Sequence, residues 1–139
     1  MLTEISIFLS NNPGELAKLI ELLNENTINI KGITAAETPD YGLLLILVDK
    51  PEKCIELLNE NKYDISATDV LAVKIPDDFK NDTLFDIANI LGENKINIEY
   101  LYMTLVSNIT LMIVRVDENE KAENLLKNED YILIEIEDL

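Results

Sequence analysis

Glu25-Asn26-Thr27-Ile28-Asn29-Ile30 and Glu93-Asn94-Lys95-Ile96-Asn97-Ile98 are one phrase written twice, at an offset of 68 residues (28 to 96). The offset holds without a gap on both sides of the phrase. Leu16 matches Leu84, Leu23 matches Leu91, Val48-Asp49 matches Val116-Asp117, and Glu52-Lys53 matches Glu120-Lys121. Leu57-Leu58 returns as Leu125-Leu126 and Tyr63 as Tyr131. A fixed internal period decides the fold before any local propensity does. It predicts two copies of one unit, residues 1–69 and 70–139, side by side as a pseudo-symmetric pair. Asp64 to Ile75, where the copies meet, holds neither Gly nor Pro, so no linker is expected and strand sharing is allowed.

Within the first copy, Ile5 to Leu9 is β-rich and reads as a strand. Asn11-Asn12-Pro13-Gly14 breaks it. Asn12 is placed to cap a helix, with Pro13 at its first position and Glu15 completing a capping box. Leu16, Leu19, Ile20 and Leu23 then recur at helical spacing, and the helix should end near Asn24 to Asn26. Ile28, Ile30 and Ile33 begin a second strand, Thr38 to Gly42 a turn, and Leu43 to Val48 a buried central strand. Asp49 is placed to cap a second helix behind Pro51, carrying Ile55, Leu57 and Leu58 inward. A fourth strand begins at Asp64 to Ala67.

The second copy repeats the order. Val70 to Ile75 is its first strand, and its first helix carries Leu84, Ile87, Ala88 and Leu91. Thr83 with Asp86 offers a late capping box for that helix. Ile96 to Leu105 is the next strand, Ser107-Asn108 the hairpin turn and Leu111 to Val116 the central strand. A helix around Glu120 to Leu126 and a last strand from Tyr131 follow. In the tail, Glu135, Glu137 and Asp138 alternate with Ile134 and Ile136, as a half-exposed strand does. The fold class is therefore α+β: two tandem ferredoxin-like βαββαβ repeats, antiparallel sheets with helices packed on one face.

Composition narrows the function. With 27 acidic against 11 basic residues, the net charge of −16 is a poor match for nucleic acid or an anionic membrane. There is no histidine, and Cys54 is the only cysteine, so no internal disulfide forms and a buried thiol is expected. No signal peptide is read at the N-terminus, and no apolar run approaches the about 18 residues of a membrane span. A cytoplasmic protein is expected.

The combination of Ile5 to Leu9, Asn11-Asn12-Pro13-Gly14-Glu15-Leu16-Ala17 and Asn26-Thr27-Ile28-Asn29-Ile30 resembles tandem ACT-domain proteins, and the resemblance covers nearly the whole chain. That family is regulatory. The resemblance implies a small ligand, usually an amino acid, held between two ACT units. Ligand groups there meet the loop after the first strand of one unit and the start of the second strand of its neighbour. Carried onto this chain, one site uses Asn11, Asn12, Pro13, Gly14, Glu15 and Leu16 with Asn97 and Tyr100. The quasi-symmetric second site uses Asn29 with Phe79 and Asp82 from the loop Asp77 to Thr83.

The first loop suits such a ligand. Gly14 lets a ligand approach the backbone, helix N-terminal N–H groups favour a carboxylate, and Asn11 and Asn97 each offer donor and acceptor. Glu15 suits an ammonium and opposes a carboxylate. A purely structural reading is that Asn12 and Glu15 cap the helix while Asn29 and Asn97 close helix-to-strand turns. In the second loop Phe79, Asn81 and Asp82 replace Asn11, Pro13 and Gly14, and Asp77 and Asp78 add charge. That site is expected to be weak or dead.

The acidic loop lacks the Ca²⁺-loop spacing, so no metal is expected. Nor is a cofactor or catalysis: no nucleophile–base pair or phosphate loop stands out. Tyr100 and Tyr102 share one strand face and read as core or interface residues. The function expected is an allosteric, amino-acid-binding regulator acting through a partner enzyme or regulator of amino-acid metabolism. Leu16 and Leu101 as pocket walls favour an apolar or aromatic ligand side chain. The alternative is a ligand-free protein–protein interaction module. Open sheet edges leave room for a homodimer.

Overall fold

The computed structural model describes residues 1–37, 41–79 and 81–139. Its elements run β1 (Leu2–Leu9), α1 (Glu15–Glu25), β2 (Ile30–Glu37), β3 (Gly42–Val48), α2 (Pro51–Glu60) and β4 (Asp64–Ile75). Then come α3 (Asn81–Glu93), β5 (Ile98–Val106), β6 (Ile109–Val116), α4 (Asn119–Asn128) and a 3-10 turn, Ile136–Asp138. Thr38, Pro39 and Asp40 of the expected turn lie outside the described residues. The chain forms two compact units, Thr3–Thr68 and Met1–Leu2 with Asp69–Leu139. β4 is one uninterrupted strand, with residues up to Thr68 in the first unit and from Asp69 in the second.

In the first unit β3 lies between β1 and β2, antiparallel to both, with Ile46 opposite Ile5 on one side and Ile33 on the other. In the second unit β6 lies likewise between β4 and β5, with Met112 opposite Val73 and Met103. Two helices cover one face of each sheet. The buried core of the first unit is Ile5, Ile7, Leu19, Leu23, Ile28, Leu44, Ile46, Val48, Cys54 and Leu58. Moved by 68 residues, every one of these positions falls in the core of the second unit: Val73, Ile75, Ile87, Leu91, Ile96, Met112, Val114, Val116, Ala122 and Leu126. The repeat is thus a repeat of buried positions. Cys54 answers Ala122, which identifies the thiol as a small core filler. Burial, and after it the charge of Asp49, raises its pKa to about 11.

The repeated polar residues have a mechanical reason too. Among the described residues, each of the four α-helices is followed by a left-handed residue that is not glycine: Thr27, Lys62, Lys95 and Asp130, with φ of 58 to 66°. At each end the next N–H returns to the helix, Ile28 to Leu23 and Ile96 to Leu91, Tyr63 to Leu58 and Tyr131 to Leu126, all within 3.0 Å. This is the Schellman arrangement, which satisfies orphan carbonyls and turns the chain sharply into the next strand. Asn26 and Asn94 donate back to the carbonyls of Leu22 and Ile90. Lys53 and Lys121 reach across from α2 and α4 to donate to the Asn26 and Asn94 carbonyls at 2.7 and 3.0 Å. Each places a cation at the negative end of a helix. The Glu-Asn and Glu-Lys repeats are therefore parts of one joint.

Two readings of the chain need correction. The expected last strand from Tyr131 is a single bridge, Val73 to Leu133, flanked by Lys74 N–H to Ile132 C=O and Ile134 N–H to Ala72 C=O. The tail beyond it is no strand. Asp138 accepts the Glu135 N–H at 3.0 Å, which withdraws that group from any ladder and starts the 3-10 turn. The Glu135 carboxylate pairs with the Met1 ammonium. The expected Asp49 cap is also absent. Lys50 precedes α2 with no side-chain cap, because the Asp49 carboxylate is taken by Asn29.

Candidate functional site

The loop after β1 begins the candidate site. Asn12 N–H donates to Ser10 C=O at 2.9 Å, and Glu15 N–H donates to Asn12 C=O at 3.4 Å. Gly14 follows at φ 90°, and α1 starts only at Glu15. The expected Asn12 cap is therefore corrected: Gly14 is the cap residue, and no side chain caps the helix. The left-handed Gly14 delays the helix by two residues, which takes the Asn12 side chain out of capping reach. No heavy atom lies within 4 Å of where a Gly14 Cβ would stand, so conformation rather than space demands glycine. Gly14, as the cap residue, has no side chain to bond the N–H groups of the first turn.

Against this loop lies a hollow of about 160 Å³. Asn11, Asn12, Glu15 and Leu16 line it, as do Leu9, Ser10, the end of β2 at Ala35-Ala36 and the start of β3 at Gly42. Four of the expected residues thus meet in one place, while Pro13 and Gly14 shape the turn. Ala35, Ala36 and Gly42 were missed. Their signal is smallness: short side chains where a strand pair passes a loop leave room. Two larger hollows exist. One, of about 510 Å³, runs along the outer side of α1 among Lys18, Glu21, Glu25 and Lys62. The other, of about 450 Å³ in the second unit, is lined by Lys74, Asp77, Asp130 and Tyr131. Of these three hollows we favour the one at the loop, because there apolar walls meet a helix N-terminus and the amides of Asn11 and Asn12.

The two strand-start asparagines differ. Asn29 grips Asp49 twice, N–H to Oδ1 at 2.9 Å and Nδ2 to Oδ2 at 3.0 Å. Burial works to raise the Asp49 pKa, but these bonds and Lys50 outweigh it and hold the carboxyl below its usual range. Asn97 repeats only the backbone half, N–H to Asp117 Oδ1 at 3.0 Å. Among the described residues its side chain has no bond to Asp117. Beside it, Arg115 pairs with Glu99 at 2.7 Å and takes part in a hydrogen bond with Tyr100. Arg115 is the only arginine of the chain, and it too was missed, standing where the first copy has Leu47.

The second loop is built otherwise. Phe79, in place of Asn11, packs onto the core of its unit. α3 starts at Asn81, so Asp82 is helical and Thr83 lies inside the helix. The expected Thr83–Asp86 box is therefore corrected: Asp86 accepts the Tyr131 hydroxyl instead. Burial and that bond push the Tyr131 pKa up to about 12. Among the described residues no group of three or more His, Cys, Asp or Glu could hold a metal ion. No helix among them is long and apolar enough to cross a membrane.

These features have relatives. A protein from Bacteroides thetaiotaomicron is 28% identical and superposes with a TM-score of 0.89, over 99% of this chain and 94% of its own. The regulatory subunits of aspartate kinase from Thermus thermophilus and Thermus flavus share the fold at 18% and 17% identity, with TM-scores of 0.65 and 0.67. Each match covers 91% of this chain, and 89% and 90% of those subunits. No curated protein matches. The family model for an ACT domain pair matches residues 1–139 without remainder, and the chain belongs to that regulatory family.

Proposed function

We propose that the protein is a non-catalytic sensor that binds a free amino acid at the loop Asn11 to Leu16 and passes that state to a partner enzyme or regulator of amino-acid metabolism. The observation that carries it is the hollow in which Asn11, Asn12, Glu15 and Leu16 converge beside an uncapped helix N-terminus. The N–H groups of the first turn suit the ligand carboxylate, and Glu15 suits its ammonium. Leu9, Leu16, Ala35 and Ala36 surround an apolar side chain. The reading keeps Asn97 and Tyr100 as contributors from the second repeat, with sensing between the repeats. It includes a cytoplasmic location and a homodimer. The fold is shared with regulatory subunits of aspartate kinase, which is in keeping with a regulatory role.

Thermal unfolding against a panel of free amino acids at millimolar concentration tests it. A ligand that binds only the folded state raises the midpoint by mass action. Apolar amino acids should raise it by several degrees, and Asn11→Ala and Asn97→Ala should each erase the rise. Asn29→Ala should leave most of it. A flat panel on folded protein sinks the reading and favours the interaction module.

A further inference from the structure

We infer that the second unit holds a ligand site of its own, in the fork where β4 parts from the tail, and that it takes a free amino acid with a guanidinium side chain. The fork has a backbone cause. β4 and the tail are bridged at Val73 and Leu133, and Lys74 N–H donates to Ile132 C=O at 2.8 Å. One step further the ladder cannot continue. Pro76 has no N–H to give, and the Tyr131 N–H is already donated to Leu126 C=O at the end of α4. The two segments splay there, and a hollow of about 450 Å³ opens between them. That volume lies within the range of about 300–1,000 Å³ that small-ligand pockets occupy.

The lining selects the ligand. Ile75, Pro76 and Ile132 give the hollow apolar walls, and Ile132 is 56% exposed. Tyr131 adds a ring, held by its hydroxyl bond to Asp86. The charges are Lys74, Asp77 and Asp130. Among the described residues none of these three side chains is in an ion pair. Lys74 suits one carboxylate, and the two aspartates suit two positive groups. A bare diamine leaves Lys74 unanswered, and a neutral or acidic amino acid leaves an aspartate unanswered. Of the cationic side chains a guanidinium fits best, because it meets a carboxylate through two parallel N–H groups and stacks on an aromatic face. The net charge of −16 draws such a cation in. The set belongs to this copy alone: at the offset of 68, Lys74, Asp77 and Asp130 stand where the first copy has Ser6, Leu9 and Lys62. Neither the loop Asn11 to Leu16 nor Asn29, Phe79 or Asp82 lines this hollow, so the inference does not depend on the amino-acid site proposed above.

Backbone amide NMR spectra of the full chain, titrated with L-arginine to millimolar concentration, read the answer. The amides of Lys74, Ile75, Asp77 and Asp130 to Ile132 should shift and saturate. Asp77→Asn and Asp130→Asn should each weaken binding by about threefold to fivefold, as loss of a half-solvated ion pair does. Citrulline, which has the same shape without the cation, should bind at least about fivefold more weakly than arginine. Lys74→Gln should weaken L-arginine and leave agmatine, which lacks the carboxylate, no weaker. Lys74, Asp77 and Asp130 are exposed, so these variants should keep their thermal midpoints without ligand. Asn11→Ala should leave arginine binding intact, which separates this site from the loop site whether or not apolar amino acids bind there. Unmoved amides in the fork overturn the proposal. So does citrulline binding as tightly as arginine, binding that survives both aspartate changes, or binding lost with Asn11→Ala.

Discussion

The core positions of the first unit all return in the core of the second, and the units differ where a ligand would touch them. Leu19 and Leu23 answer Ile87 and Leu91, and Cys54 and Leu58 answer Ala122 and Leu126, without one exception in the shared core. Yet one unit has a left-handed Gly14 before α1, and the other has a helical Asp82 and a core-packed Phe79. One asparagine holds its aspartate with two hydrogen bonds, and the other with one. The core tolerates exchange of one apolar residue for another as long as volume is kept. The loop is under no such constraint, so it is where two copies of one unit can part in function.

The largest effect should test the sameness. Leu23→Ala and Leu91→Ala, fully buried equivalents, should each cost about 2–5 kcal/mol in denaturant unfolding. Costs far apart would mean that equal burial hides unequal packing. Next comes the loop. Gly14→Asp, which writes the second loop's residue into the first, forces a side chain into the left-handed region at a cost of about 1–2 kcal/mol. It should also abolish the amino-acid response. The reverse change, Asp82→Gly, acts on a helical position and should cost no more than about 1 kcal/mol.

The asparagines offer a smaller and sharper contrast. Asn29→Ala should destabilise by about 1 kcal/mol and Asn97→Ala by less, since only Asn29 donates a side-chain bond to its aspartate. Their effects on ligand response should run the other way. The Asn29 pair also has a pH signature. Asp49 has a lowered folded pKa, so its contribution is present above the unfolded carboxylate value of about 3.9 and is lost as pH falls through the folded value. Carboxyl NMR titration should find Asp49 below that value, and Asn29→Ala should bring it back. The smallest change should be Cys54→Ala, within about 1 kcal/mol, because Ala122 already fills the matching place. A larger loss would give the thiol a role of its own.

Much of this was legible because it depends on burial. Leu23 with Leu91 and Ile28 with Ile96 announce the core through periodicity alone. Where local rules compete, the chain misleads. Asn12 and Asp49 both look like helix caps, and neither is: the Gly14 turn displaces one, and Asn29 claims the carboxylate of the other. The tail alternates like a strand, yet Asp138 bonds back to Glu135 and makes a 3-10 turn. Ala35, Ala36 and Gly42 enter the site only because β2 and β3 bring them to the loop. Arg115 meets Tyr100 and Glu99 only across a strand pair.

By itself the sequence determined the repeat, the order of the elements up to the last helix, the periodic core positions and the net charge of −16, because each follows from spacing and composition along one chain. The tertiary structure alone decided which asparagine is held by its side chain, where each helix begins, and which small residues open a hollow. Those outcomes depend on which of several equally suitable hydrogen-bond partners is nearest after folding, and distance in space is not written in the order of residues.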